Sequence, residues 1–442
     1  MKFIAKTFLG LEEILAEEIQ RLGVDSLQIN NRAVVFEGDL STMYRANMWL
    51  RTASRVLWEI GNFKAQNAED IYREIKKIDW SQHLTTKQTF AINSTVYSEN
   101  FHNSQFVAYK AKDAIVDFFQ ESVGDRPSVS VAAPDIVIDI HISHNDCTIS
   151  LDSSGESLHK RGYRKQQTKA PINEALAAGI IIKSGWRGEC SLIDFMCGSG
   201  TILIEAAMIA LNIPPGIYRK GFAFEKWKNF DKTLFEEIYN DDTQDREFNY
   251  KIYGYDLSKM ALSVAEENVS AAGLNQYISL RQQNISDFKV PSGEEKCIII
   301  SNPPYGERLK DKEITALYST IGQRLKHHAQ GAKAWIISSD AELMKAIGLK
   351  PSYKIDMLNG SLKCELWGFD IFDGKRKDFL KEKGKQRSEN RSSHFAKPNR
   401  RTPRRPKEEK TNYKKKDKNN GSKSKSFENK HKYNKQYNKP KK

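Results

Sequence analysis

Residues 191–212, SLIDFMCGSGTILIEAAMIALN, constrain the fold more than any other stretch. A short apolar run ends at Asp194, glycines follow at 198 and 200, and an apolar helix-forming run begins at once. A buried strand that turns through glycines into a helix is the opening unit of a parallel α/β sheet. The pattern then repeats. KIYGYDLS and SKMALSVAEENVSAAG read as a second strand and helix, YISLRQQNISDF and KCIIISNPPY contain the third and fourth strands, and AKAWIISSD the fifth. Within YKIDMLNGSLKCELWGFDIF, two strand-like runs are joined through Asn359-Gly360, a strong hairpin signal. From residue 160 onward the expectation is therefore a mostly parallel α/β sheet closed by a C-terminal β-hairpin, with one antiparallel strand.

Upstream, the elements are smaller and mixed. KFIAKTF is strand-like, LEEILAEEIQRLG sets Leu11, Ile14, Leu15 and Leu22 along one helical face before Gly23, and RAVVFEGD is β-rich. TFAINSTVYSE (strand), HNSQFVAYKAKDAIVDFFQ (helix) and DIVIDIHISHNDCTISLD (a strand pair turned at Asn145-Asp146) follow. These suit α+β modules. Four segments are expected: residues 1–62, 63–156, 160–374 and 375–442.

Charge separates the last segment from the rest. Residues 375–442 hold 27 Lys and Arg against 7 Asp and Glu, and the remainder holds 43 against 49, so the whole net charge of +14 comes from the tail. Apolar residues nearly vanish there, so it is expected to be a disordered basic tail. Its Arg-Arg and Lys-Lys-Lys clusters, interleaved with Tyr413, Tyr433 and Tyr437, suit salt-dependent contact with phosphates. The five cysteines have no C-x-x-C spacing, which indicates neither a metal site nor a disulfide framework and suits a reducing compartment. The opening MKFIAKTFLGLEEILAEE lacks the unbroken apolar core of a signal peptide, and no run of about 18 apolar residues exists. A cytoplasmic protein with no membrane partner is expected.

The glycine turn narrows the ligand. Gly198 and Gly200 fit a dinucleotide fingerprint, but Leu203 stands where its third glycine belongs, and Thr201 is not preceded by the lysine of a phosphate-binding loop. S-adenosylmethionine has no pyrophosphate to cradle; it needs close backbone approach and carboxylates for its cationic amine and ribose. Asp194, Asp256 and Asp287 stand at the ends of successive strands, where ligands of open α/β sheets bind. Asp256 suits the ribose hydroxyls and Asp287 the adenine amine. Taken singly, each is also an ordinary cap or turn residue.

The fourth strand ends in Asn302-Pro303-Pro304-Tyr305. An exocyclic base amine is a poor nucleophile, because its lone pair is delocalised into the ring. The Asn302 side chain and the Pro303 carbonyl would accept its two hydrogens and turn the lone pair toward a sulfonium methyl. The prolines fix φ and offer no competing N–H. Tyr305 would stack on the base, worth roughly 1–3 kcal/mol against a flipping cost of a few kcal/mol.

DFMCGSGT, GYDLS and SNPPYGERL, in this order, resemble the class I (Rossmann-like) methyltransferases that act on amino groups of bases. RGYRKQQTKAPINEALAAGIIIKSGW, just before the glycine turn, resembles the lead-in of the THUMP-containing RNA guanine-N2 methyltransferases of the RlmL (N-terminal half) and YpsC type. SENFHNSQFVAYKAKDAIVDFF resembles the RNA-binding THUMP domain, preceded by a ferredoxin-like unit. The resemblance, over about residues 1 to 375, implies donor contacts at Asp194, Gly198, Gly200, Asp256 and Asp287, and a base held by Asn302, Pro303, Pro304 and Tyr305. It also implies RNA contacts at His102, Asn103, Lys110 and Lys112, where the ordinary reading is a solvated helix face and a loop. RlmL continues into a second methyltransferase domain and this chain into a basic tail, so one activity at most is implied.

The implied reaction is guanine-N2 methylation, with large-subunit ribosomal RNA as substrate and pre-ribosomal particles as a further partner. Transfer RNA, adenine N6 and a non-catalytic RNA-binding assembly factor stay open. The insert between the first two strands, residues 212–250, is either a lid or RNA-contact element over the site, or a packed excursion whose Phe222, Phe224 and Trp227 cover the sheet edge.

Overall fold

A computed structural model describes residues 1–167, 171–294, 296–305, 311–360 and 362–372. The tail from 375 onward, with its expected disorder, lies outside the described residues, as do 306–309 of the GERL motif. Among the described residues no helix is long and apolar enough to cross a membrane.

The first half builds an eight-stranded sheet from β1 (Lys2–Thr7), β2 (Leu27–Asn30), β3 (Ala33–Glu37), β4 (Ala53–Lys64), β5 (Thr89–Tyr97), β6 (Ser128–Val129), β7 (Ile136–Ser143) and β8 (Asp146–Asp152), ordered β2-β3-β1-β4-β8-β7-β5-β6. Its helices are α1 (Glu12–Arg21), α2 (Leu40–Trp49), α3 (Ala68–Lys76) and α4 (Ser104–Val123). Strand β4 went unread in the sequence because an irregularity at Ile60, between the pairs Glu59↔Ser150 and Gly61↔Ile149, breaks its period of two. It pairs with β1 through its first half and with β8 through its second, so one strand crosses the boundary expected at residue 62 and the two N-terminal units share a sheet. The β7–β8 turn is corrected by one residue. Ser143 pairs with Asp146, so the turn is His144-Asn145, and His144 takes the left-handed conformation at φ 55°.

The second sheet contains β9 (Leu192–Asp194), β10 (Ile252–Asp256), β11 (Ile278–Gln282), β12 (Ile298–Ser301), β13 (Lys333–Ser338), β14 (Tyr353–Asn359) and β15 (Leu362–Asp370), ordered β11-β10-β9-β12-β13-β15-β14. The strands from β11 to β13 run parallel, and β15 is antiparallel to both its neighbours. This is the Rossmann-like sheet with its closing hairpin. Asn359 pairs with Leu362, so β14 ends at Asn359 and the chain turns from Gly360, at φ 64°. The helices are α5 (Glu174–Lys183), α6 (Thr201–Ala210), α7 (Lys232–Asn240), α8 (Lys259–Ala271), α9 (Asp311–His328) and α10 (Ala341–Ala346).

Helix α6 is buried along its whole length and α5 along all but its last residue, which is why their sequences are apolar all round. Leu11 and Ile14 join the core of the second sheet. A Cβ at position 179 would lie 2.5 Å from Leu11 Cδ2, so glycine there lets the N-terminal unit dock closely on α5. The insert is a packed excursion, but onto a different surface from the one expected. Phe222, Phe224 and Trp227 are buried in the core of the first sheet. Phe224 lies 4.6 Å from the Tyr44 ring and Trp227 lies 5.7 Å from that of Trp58. These rings neither cover the second sheet's edge nor lie over its strand ends.

Candidate active site

The central strands β10, β9 and β12 are adjacent and parallel, so their carboxyl ends bring Asp256, Asp194 and Ser301-Asn302 to one edge. The glycine turn lies between them, with Gly198 at φ 54° and Gly200 at φ 79°, conformations that an L side chain would strain. A Cβ on Gly200 would also press to 3.3 Å from that of Ala265 on α8. The Asp256 carboxylate orders this turn: Oδ2 accepts the Gly198 N–H at 3.0 Å and Oδ1 the Ser258 N–H at 2.9 Å. Beside it, Leu257 is 64% exposed, an apolar surface at the mouth of the turn that the sequence reading overlooked.

Asp194 is 1% exposed. Its Oδ1 accepts the Met196 N–H at 3.1 Å and the Ser301 hydroxyl at 2.6 Å. Burial, reinforced by the neighbouring Asp256 charge, pushes its carboxyl up to about 7 against the pull of those two hydrogen bonds. Asp194 thus couples the glycine turn to the strand that carries the Asn-Pro-Pro-Tyr sequence. Ser301 was missed, although a serine closing the run CIII is the signal that could have found it.

Asn302 Oδ1 is buried and has no hydrogen-bond partner among the described residues. Buried acceptors are almost always paired, so an orphan at a strand end calls for an explanation. Tyr305 departs from the expectation of an open stacking ring. It is 8% exposed, and its hydroxyl accepts from Asn359 Nδ2 at 2.8 Å, which ties the turn to the closing hairpin. Presenting the ring to a base requires it to leave that contact. Asp287 closes the 3₁₀ turn Ile285–Asp287 after β11 and is exposed, at the edge where the other carboxylates gather.

The lead-in segment braces the glycine turn, which spacing alone could not reveal. Arg164 donates to Glu174 Oε1 at 2.8 Å, to Ser199 Oγ at 3.1 Å and to Thr201 Oγ1 at 2.9 Å. Asn268 of α8 accepts the Lys165 N–H at 2.8 Å and donates to the Ser199 carbonyl at 3.1 Å. Below them Arg161 pairs with Glu205, both almost wholly buried, and Tyr163 donates to the same carboxylate at 3.0 Å.

The four residues expected to touch RNA lie on another element, at and within α4. His102 is exposed. Asn103 caps the helix by accepting the Phe106 N–H at 3.1 Å. Lys110 is paired with Glu69 and Lys112 with Asp113, each at 2.8 Å. Nearby Tyr97 and Tyr109, 67% and 55% exposed, are aromatic surface that the sequence reading did not single out.

Comparison with known proteins adds three domain matches: an RlmL ferredoxin-like domain over residues 2–57, a THUMP domain over 65–152 and an RMKL-like methyltransferase domain over 161–367. The chain is 37% identical over 373 residues to a candidate RNA methyltransferase, slr0064, of Synechocystis, covering 84% of this chain and 97% of that protein. It is 36% identical over 383 residues to the ribosomal RNA large subunit methyltransferase K/L of Syntrophotalea carbinolica, covering 84% of this chain and 54% of that one. The chain thus spans about half the length of the K/L enzymes it matches. In three dimensions it is similar to SMU.472, a candidate methyltransferase complexed with SAH, at 33% identity and a TM-score of 0.76, over 85% of this chain and 99% of that one.

Proposed function

We propose, because this chain belongs to the RMKL-like methyltransferase family, that it methylates the exocyclic N2 amine of a guanine in RNA, using S-adenosylmethionine. Large-subunit ribosomal RNA, free or in a pre-ribosomal particle of the cytoplasm, is the substrate we favour, since the K/L relatives carry that substrate in their name. The observation that carries the reading is the orphaned Asn302 Oδ1 at the carboxyl end of β12.

The residues present fit the donor. The left-handed glycine turn leaves room for close backbone approach, and Asp256 is held in place by two backbone N–H groups with lone pairs to spare for ribose hydroxyls. We assign Asp287 to the adenine amine, Leu257 to the adenine face, and Asp194 to the cationic end through the turn that it anchors. Bound there, the donor supplies an electrophilic methyl group. Asn302 Oδ1 accepts one hydrogen of the base amine and the Pro303 carbonyl the other, which turns the nitrogen lone pair out of conjugation. Pro303 and Pro304 hold that geometry without offering an N–H of their own. The amine proton is lost after transfer, so no strong base is needed, and the work is positioning and electrostatics. Tyr305, once out of its hairpin contact, stacks on the base.

The division of labour we propose gives donor and base handling to residues 160–374 and RNA contact to residues 63–156, through His102, Asn103, Lys110 and Lys112 together with Tyr97 and Tyr109. The lysines would exchange their carboxylate partners for phosphates. The test is to incubate the protein with isotopically labelled donor and unmodified ribosomal or transfer RNA, then identify labelled nucleosides by mass spectrometry. N2-methylguanosine in ribosomal RNA is expected. The same nucleoside in transfer RNA redirects the substrate, and N6-methyladenosine overturns the base. Absence of donor binding overturns the enzyme reading in favour of an assembly factor.

A further inference from the structure

Five arginines converge on one cleft far from the glycine turn. The cleft, of about 600 Å³, lies where α1 and α2 of the N-terminal unit meet the carboxyl ends of α5 and α6, and it is lined by Arg21, Arg45, Arg51, Arg187 and Arg246. Helix α6 starts at Gly200 and runs ten residues away from it, about 15 Å, so this cleft is at the opposite end of the second sheet from the candidate active site.

The positive charge there is only partly balanced, since five arginines face two carboxylates in the lining. Glu18 and Asp241 are the two carboxylates of the lining, and their hydrogen bonds go to backbone N–H groups and hydroxyls, not to guanidinium groups. Glu18 accepts the N–H groups of Arg51 and Thr52 and the Thr52 hydroxyl, and Asp241 accepts the N–H and hydroxyl of Thr243. Among the described residues, only Arg21 of the five has a carboxylate within ion-pair distance, Glu17 at 3.6 Å, and that pair is exposed.

Arg51 is 7% exposed; its Nη2 donates to the Met208 carbonyl at 3.3 Å, while its Nη1 is buried with no partner. A buried guanidinium N–H without an acceptor is costly, and Arg51 is one of the residues that line the cleft. Burial pushes Arg51 down to about 10 against the opposing pull of the Glu18 and Glu205 carboxylates, with smaller help from the like charges of Arg161 and Arg246, and Arg187 is lowered by burial with Arg21 beside it. Residues 1–374 are acidic overall, with 43 Lys and Arg against 49 Asp and Glu. This concentration of arginine is therefore local and not a sample of a basic surface.

We infer that the cleft binds phosphate groups of the RNA backbone, as a second contact remote from the reacting base. The inference rests on the RNA-methyltransferase reading. Planar guanidinium forks match phosphate oxygens, and arginines supplied from several separate segments suit a run of phosphodiesters better than a single anion. The exposed Arg45 and Arg246 donate to the phosphate oxygens, and the buried Arg51 adds its charge from the cleft wall.

The test uses the full chain carrying Arg45→Glu and Arg246→Glu. Both are exposed, unlike Arg51, whose loss would disturb the core. Filter binding to transcribed large-subunit ribosomal RNA is measured across a salt series, with donor binding followed by calorimetry. Expected are at least tenfold weaker RNA binding, a salt slope smaller by roughly 1.4–1.8, at about 0.7–0.9 for each of two phosphate contacts, and unchanged donor affinity. A control with Lys232→Glu and Lys345→Glu keeps wild-type affinity. Equal RNA binding by the arginine variant, or an equal loss in the control, overturns the inference. So does protection of the wild type alone against heat by ADP or inorganic phosphate with RNA binding unaltered in the variant, which assigns the cleft to a free anion. If the wild type methylates RNA while the variant binds it normally, only this inference falls. A wild type that neither binds nor methylates RNA ends both.

Discussion

Replacing Asn302 by alanine separates catalysis from stability in a way that few active-site changes do. In the free protein the Asn302 Oδ1 is buried and unpartnered among the described residues, a state that costs about 1–3 kcal/mol. Alanine removes that cost and forfeits the packing of one half-buried side chain, worth roughly 1 kcal/mol. The melting temperature is therefore expected to hold or to rise by a few degrees. Methyl transfer goes the other way. Loss of one acceptor aimed at the reacting amine is comparable to loss of one oxyanion-hole donor, about 10²–10³ in rate or roughly 2.7–4 kcal/mol. Donor affinity, set by the glycine turn and Asp256, should stay within about threefold, less than 1 kcal/mol. Single-turnover transfer of labelled methyl, titration calorimetry with the donor and a thermal melt measure the three quantities. A melting temperature several degrees lower, together with lost donor binding, would show that Asn302 supports the fold and would refute the base-binding role.

Three further outcomes are expected. Asp256→Asn keeps the shape of the side chain but weakens its charge-assisted hydrogen bonds, each worth about 1.5–3 kcal/mol, so donor affinity should fall 10- to 100-fold with RNA binding intact; calorimetry giving wild-type affinity would refute the ribose assignment. Asp194 has its folded-state carboxyl raised to about 7 from an ordinary 3.8, so folding favours its protonated form, and its contribution is fully present below about 4 and lost as pH rises through 7. Asp194→Asn should therefore raise the melting temperature relative to wild type more at pH 8 than at pH 5, and a difference that does not change with pH counts against the shift. Deletion of residues 376–442, which removes a large excess of positive charge, should weaken RNA binding at least tenfold and flatten its salt dependence without affecting the donor; unchanged RNA affinity would mean that the folded part supplies the electrostatics.

Local signals in the sequence were sufficient for most of the second sheet. Strand, glycine turn and helix follow one another in DFMCGSGTILIEAA, and Asn359-Gly360 marks the hairpin, because these elements are specified by residues adjacent in the chain. Parallel strand order then brings residues 194, 256 and 302 to one edge, so the candidate site could be named before its geometry was known. Contacts between distant segments were not legible in this way. The bulge at Ile60 hid β4, the strand that joins the two N-terminal units.

Aromatic and basic composition left the insert with two readings, and only the positions of Tyr44 and Trp58, far away in sequence, decided that its rings pack on the first sheet. Tyr305 reads as a stacking ring in the sequence, but Asn359, 54 residues on, holds its hydroxyl. The arginine cleft draws residues 21, 45, 51, 187 and 246 from segments with no shared pattern. Backbone conformations and strand-end side chains are legible along the chain, since these depend on near neighbours. Which polar groups are buried, paired or left without a partner is set by packing between distant segments, because burial and desolvation belong to the surroundings of a side chain and not to its place in the chain.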